Sequence, residues 1–248
     1  MSNKTYRKSF TDKAVVDEYV TRYSGVTLSS YLFDLEKKIL SDIVKNEINA
    51  TAKGGVKYLD YACGTGRVLN FIIERFSDSE IKLDAVGMDI SEEMLATITG
   101  SPARLVKIDI STESASENGF DLITCFRFFL NAENDLRNSV LRQLHIMLKE
   151  DGCLVINNHG SCSSFLGLLR FFKKNTHCMD DLKFLQMLSA NGFEVKTVYG
   201  LGLLPGIIVN RRIFRFLFLG FEKYLIKSKW GKVVQKFQIT KLYVCKKI

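Results

Sequence analysis

One stretch limits what this chain can become: residues 56–69, VKYLDYACGTGRVL. Residues 56–61 read as a short buried strand carrying an acid, Asp60, near its end. The chain then turns through Ala62, Cys63, Gly64, Thr65 and Gly66 and enters a run of Val68, Leu69, Ile72, Ile73 and Phe76 at helical spacing. A strand that bends over small residues into a helix offers unpaired backbone amides and the positive end of the helix dipole. The missing side chains let a ligand lie against the main chain. The expectation is a ligand cradle, with the Asp60 carboxylate suited to a cationic part of the ligand.

The rest of the chain repeats strand and helix around that cradle, which predicts an α/β fold with a mostly parallel, doubly wound sheet. Ahead of it, Leu28, Leu32, Leu35, Ile39 and Ile43 share one face of a helix, and Gly54-Gly55 leads into the first strand. Behind it, strands are expected at 82–90, 104–110, 120–126, 153–157, 193–199 and 239–246. Ser91 reads as an N-cap with Glu92 and Glu93 in the first turn, Asp180 or Asp181 opens a later helix, and Asn191-Gly192 closes it. The chain divides as a single domain: an N-terminal helical cap over 1–53, a core over 54–199, a basic helical insertion over 200–238 and a last strand over 239–248.

Two details narrow the ligand. A dinucleotide fingerprint needs a third glycine where this chain has Leu69. A second acid, Asp89 in VGMDIS, closes the next strand, where a carboxylate can take two ribose hydroxyls. With the block LRQLHIMLKEDGCLVINNHG, these residues resemble the class I S-adenosylmethionine-dependent methyltransferases. That resemblance implies a Rossmann-like sheet of seven strands with an antiparallel seventh strand, N-terminal helices and a helical insertion before the last strand. It implies S-adenosyl-L-methionine as cofactor, bound by Asp60, Ala62, Gly64, Gly66, Asp89, Ile90, Asp109, Ile110 and Phe126. Ala62 departs from the family, which usually has glycine there.

Acceptor residues should follow the fourth and fifth strands, outside the carboxyl edge of the sheet. Those segments read FRFFLN and NNHG. Arg127 and Asn131 suit an anionic or hydroxyl-rich acceptor, although Arg127 could equally pair with an acid from a neighbouring loop. Asn158 and Tyr23 complete the substrate set. Of the three histidines, His159 alone ends a strand on the cofactor side, making it the candidate base; lining the pocket without taking a proton is the competing role. No metal is expected, since a carboxylate cluster is absent where Asn157 and Asn158 stand.

Charge separates the core from the tail. Residues 211–248 hold eleven Lys or Arg against one acid, Glu222, a net +10 in a chain of +8, so the remainder is slightly acidic. Basicity confined to one segment is not a general nucleic-acid signature. An Asp/Asn-Pro-Pro-aromatic motif is also missing after the fourth strand, so DNA is not an expected partner. Ile213, Phe214, Leu217, Phe221, Tyr224 and Leu225 recur at helical spacing among those cations. The helix should either pack as a lid over the substrate pocket or make peripheral membrane contact through 211–232; 163–175 has similar character. The six cysteines form no CxxC pair, and the first ten residues lack an apolar core, which together suggest a reducing, cytoplasmic setting. The function expected is methyl transfer to oxygen or nitrogen of a small molecule or a glycan or lipid-linked intermediate. The alternatives are RNA methylation through the basic tail and cofactor binding without catalysis.

Overall fold

A computed structural model of the chain describes residues 13–48, 54–113, 117–159, 179–203 and 209–248. Its strands are β1 (Val56–Tyr61), β2 (Leu83–Asp89), β3 (Arg104–Lys107), β4 (Phe120–Cys125), β5 (Leu148–His159), β6 (Phe193–Leu201) and β7 (Thr240–Lys247). Its helices are α1 (Lys13–Ser24), α2 (Leu28–Ile43), α3 (Arg67–Phe76), α4 (Glu92–Leu95), α5 (Asn134–Met147), α6 (Asp181–Ala190), α7 (Arg212–Lys227) and α8 (Lys229–Val234). The strands lie side by side as β3-β2-β1-β4-β5-β7-β6. β7 runs antiparallel to both its neighbours and the remaining pairs are parallel. The chain winds outward from β1 to β3, then returns to β4 on the other side of β1. The crevice at this reversal lies at the carboxyl ends of β1 and β4, where an open α/β sheet takes its ligands.

Alternation along the strands feeds two apolar layers. On one face, Tyr58, Leu122, Cys153, Val155, Leu242 and Val244 pack with Tyr31, Leu32, Leu35 and Ile39 of α2 and Val68, Leu69 and Ile72 of α3. On the other, Leu59, Val86, Ile123, Leu154, Ile156 and Tyr243 meet Val140, Leu141 and Leu144 of α5 and Phe184 and Leu188 of α6. The expected caps form: Ser91 Oγ accepts the Met94 amide at 3.1 Å and Asp180 Oδ1 accepts the Leu182 amide at 2.7 Å.

Two strands differ in length from the sequence reading by more than two residues. β3 ends at Lys107 because Asp109 turns the chain, its carbonyl accepting the amides of Thr112 and Glu113. β5 begins at Leu148, not at 153, because its pairing with β4 slips between Phe120 and Leu122 and so absorbs the Asp151-Gly152 turn. Glycine is required there, since a Cβ on Gly152 would stand 2.8 Å from the Phe120 carbonyl oxygen.

Helix α7 carries two apolar stripes, and of the described residues in the stripe read from the sequence only Leu225 is buried. Leu225 is buried, Leu219 and Ile226 pack on the core, and Glu222 is enclosed with them. The Glu222 carboxylate accepts from the Gly202 and Leu203 amides and from the Tyr31 hydroxyl, tying the helix to α2. Phe214, Leu217, Phe221 and Tyr224 face outward. Residues 163–175, with His177, Cys162 and Cys178, lie outside the described residues. Among the described residues no helix is long and apolar enough to cross a membrane.

Candidate active site

The turn after β1 is held by acids on both sides. Asp89, closing β2, accepts the Gly64 amide on Oδ2 at 2.8 Å and the Ser91 amide on Oδ1 at 2.9 Å. It is 9% exposed, and burial pushes its carboxyl above the usual carboxylate range. The loop and the strand-end acid are thereby locked to each other, with the carboxylate at the crevice rim. Ile90 beside it is half-buried.

Asp60 takes a different part from the one expected. Its Oδ1 accepts the Thr124 hydroxyl at 2.7 Å and its Oδ2 the Leu69 amide at 3.0 Å, and it is 2% exposed. The Tyr58 hydroxyl closes this chain against Thr124 at 2.8 Å. Asp60 therefore does not present a carboxylate to a cationic ligand; it braces α3 against β1 and β4. Burial pushes its carboxyl up to about 7, although the Thr124 and Leu69 hydrogen bonds and Arg67 pull it down.

The turn has the conformation a cradle needs. Gly64 and Gly66 sit at φ 54 and 73, and Ala62 shares this left-handed region at φ 55. A Cβ on Gly66 would meet Ile98 Cδ1 at 2.9 Å, whereas one on Gly64 would enter open space. Gly66 thus packs inward and Gly64 leaves the backbone bare. The amides of Gly64, Gly66 and Leu69 are already engaged within the protein. Those of Thr65, Arg67 and Val68 meet no acceptor among the described residues, as expected for the first turn of α3.

A buried charge cluster joins the cradle to the ends of β4 and β5, and sequence reasoning identified only part of it. Glu36 of α2, with a fully buried side chain, accepts from Arg67 on Oε2 at 3.1 Å and from Arg127 on Oε1 at 3.1 Å. Asn157 donates its Nδ2 to the same Oε1 at 3.2 Å and takes the Arg127 amide on its Oδ1 at 2.8 Å. That second bond holds Arg127 at φ 64, a conformation that is strained for a residue with a side chain. Tyr23 and Phe33 cover the Arg67 guanidinium at 4.5 and 4.0 Å, and Tyr19 lies against Tyr23. Two cations share one anion here, and the Nε of both Arg67 and Arg127 is buried without an acceptor among the described residues. The cluster has the charge and the spare donors to hold an anionic group.

The other expected site residues divide. Tyr23 and Arg127 come together with the cradle, and Arg127 does pair with an acid, Glu36, which belongs to helix α2 and not to a neighbouring loop. Asn131 is exposed and donates to the Arg127 carbonyl at 3.0 Å. Asn158 points through the opposite face of the sheet, donating to the Met179 carbonyl at 3.2 Å, so Asn157 replaces it as the site's amide. Phe126 is 5% exposed within the apolar layer under α2, and Ile110 is 1% exposed in the opposite layer. Asp109 is half-buried and turned onto its own loop, where its Oδ1 accepts the Ser111 amide at 3.0 Å. His159 ends β5 opposite Thr240; its side chain lies outside the described set. His145 is structural, its ring edge-on to Phe193 at 5.3 Å. Among the described residues no three His, Cys, Asp or Glu side chains are grouped to hold a metal ion.

The sequence does carry a signal for Glu36. It falls between Leu32 and Ile39 on the apolar face of α2, and an acid in the middle of a buried stripe requires a buried partner. Asn157 shares strand parity with Cys153 and Val155, the residues that face α2.

Residues 59–154 match a family model described as a methyltransferase domain. No curated protein matches the sequence. Among solved structures, a TehB-like methyltransferase from Corynebacterium glutamicum aligns with a TM-score of 0.56 at 19% identity, covering 96% of this chain and 100% of that one. Magnesium protoporphyrin IX methyltransferase from Synechocystis, solved with S-adenosylhomocysteine bound, aligns with a TM-score of 0.62 at 12% identity, covering 98% and 97%. A Thermotoga maritima protein described as a possible histamine N-methyltransferase gives 0.59 at 15% identity, covering 95% and 97%. At such identities the likeness is one of fold.

Proposed function

We propose that this chain, whose residues 59–154 match a methyltransferase-domain model and whose fold is that of class I S-adenosylmethionine-dependent methyltransferases, transfers a methyl group from S-adenosyl-L-methionine to a small molecule or a glycan or lipid-linked intermediate. The observation that carries the reading is the pairing of a bare Gly64 backbone with Asp89 at the sheet's reversal point. Asp89 would hold the ribose, Ile90 would lie against the base, and the amides of Thr65, Arg67 and Val68 would face the ligand. The spare guanidinium donors of Arg67 and Arg127 suit a carboxylate, whether that of the methionine portion or one on the acceptor.

When bound, the cofactor supplies a sulfonium methyl already activated toward attack, so the protein's share is alignment of the acceptor and exclusion of water. α1 and α2 close over the cluster with Tyr19, Tyr23 and Phe33, which supports a shielded site. His159, at the end of the strand that supplies Asn157, is the residue proposed to accept a proton from a hydroxyl or amine. Incubation with methyl-labelled cofactor and fractionated metabolites, glycans, lipids and RNA tests the reading. Label should enter the metabolite, glycan or lipid fraction; label in RNA alone would replace it with the RNA reading, and label in none would favour cofactor binding without catalysis.

A further inference from the structure

α7 and the segment after it form a surface that the methyltransferase core does not explain. Phe214, Leu217, Phe221 and Tyr224 recur at intervals of three and four residues along the outer side of the helix, and they are 50, 62, 49 and 67% exposed. Phe216 at 80%, Trp230 at 68%, Val233 at 58% and Phe237 at 47% are exposed apolar side chains of the same helix and of the segment after it. Single exposed apolar residues are common, but a continuous aromatic stripe on one helix is a place where something docks. The helix is fixed from its other side: Glu222 is bound to the Gly202 and Leu203 amides, and Arg215 pairs with Asp34 of α2. The outward stripe is therefore a settled feature of the packing.

Charge selects the occupant. Residues 211–237 contain eight Lys or Arg and a single acid, Glu222, which is 1% exposed and turned into the core. The surface around the stripe accordingly carries cations with no exposed acid among them. Two copies of such a helix would bring like charges together, which opposes self-association. A helix of this composition, at 16 residues too short to span a bilayer, has the composition of one that lies in the interface with its rings among the acyl chains and its cations over the head groups.

We propose that α7 and α8 dock this protein onto an anionic lipid bilayer surface, through Phe214, Phe216, Leu217, Phe221, Tyr224 and Trp230, with Arg212, Lys223 and Lys232 at the head groups. The surface does not depend on the methyl-transfer reading. It lies one helix from the charge cluster, since α2 carries both Asp34, facing α7, and Glu36, facing the crevice.

Co-sedimentation of the full chain with phosphatidylcholine vesicles, with and without phosphatidylglycerol, tests this. Binding is expected only when the anionic lipid is present and should weaken at least tenfold on raising salt from roughly 0.05 to 0.5 M. Phe214→Ser/Leu217→Ser/Phe221→Ser should reduce the partition coefficient at least tenfold, and so should Lys223→Glu/Lys232→Glu. The single change Phe216→Ser, at the most exposed ring, should lower it severalfold with an unchanged circular dichroism spectrum. Absence of binding to anionic vesicles would overturn the proposal, as would equal binding to neutral ones or unchanged binding by the serine triple variant. A wild-type dimer in light scattering that the triple variant converts to monomer would assign the face to a second copy instead. Loss of methyl transfer with retained vesicle binding would leave this surface intact and count only against the catalytic reading.

Discussion

Replacing Glu36 by glutamine removes the one negative charge that two buried guanidiniums share, and the expected consequence can be worked from the contacts. The carboxylate has no exposed surface, and the Arg67 and Arg127 side chains are each 12% exposed, so water cannot take over as it would on a surface. Removing one partner of a buried ion pair costs roughly 3–5 kcal/mol. Glutamine keeps an oxygen that can accept from one arginine, which puts Glu36→Gln at about 3 kcal/mol; Glu36→Ala, which also opens a cavity, should reach about 5 kcal/mol. For a chain of this size 3 kcal/mol corresponds to about 6–12 °C in Tm. Urea denaturation followed by circular dichroism, with linear extrapolation, measures it. Adding Arg127→Met to Glu36→Gln should recover part of the loss, because an unpaired buried cation is removed along with its former partner. A loss below about 1 kcal/mol, the range of exposed pairs, or strict additivity in the double variant, would refute the buried-cluster argument.

Asp89→Asn should weaken S-adenosylhomocysteine binding by about tenfold or more, because the site loses a charged acceptor of hydrogen bonds; calorimetry reads this directly. Asp60, whose carboxyl is raised to about 7, gives stability that is complete below its unfolded value near 4 and lost as pH rises through about 7. The ligand-free protein should therefore lose up to about 4 kcal/mol across this window from Asp60 alone, and Asp60→Asn should flatten the profile in denaturation runs between about pH 5 and about pH 8. Ala62→Gly, at φ 55, should raise stability by up to about 1 kcal/mol in the same assay, since glycine meets no steric penalty there. His159→Ala should slow methyl transfer and remove an inflection from the pH–rate profile, with cofactor affinity retained.

The sheet was legible because its signals are local and repeated. Small residues must follow β1 for the chain to turn, and caps such as Ser91 and Asp180 mark helix starts wherever the core sits. The antiparallel β7 entered only through the family resemblance. What could not be read depends on which of two faces a residue turns to. Asn157 and Asn158 are adjacent, and a strand sends them to opposite layers; choosing between them requires the register with β7, where they oppose Leu242 and Lys241. α7 has apolar residues on two sides, and periodicity alone does not say which side meets α2. Asp60 fits the expected motif, but its direction is set by Thr124, which lies 64 residues further along the chain. Glu36 is hidden in the sequence because its neighbours satisfy the pattern of an ordinary amphipathic helix.

The measurement that bears most directly on the central claim is calorimetric titration of the wild-type chain and of Asp89→Ala with S-adenosyl-L-methionine, S-adenosylhomocysteine and a nicotinamide dinucleotide. The wild type should bind both sulfur nucleosides one to one, the variant should lose nearly all of that binding, and neither should take the dinucleotide. Wild-type protein that gives no heat with either nucleoside, or that takes the dinucleotide in their place, would contradict the claim.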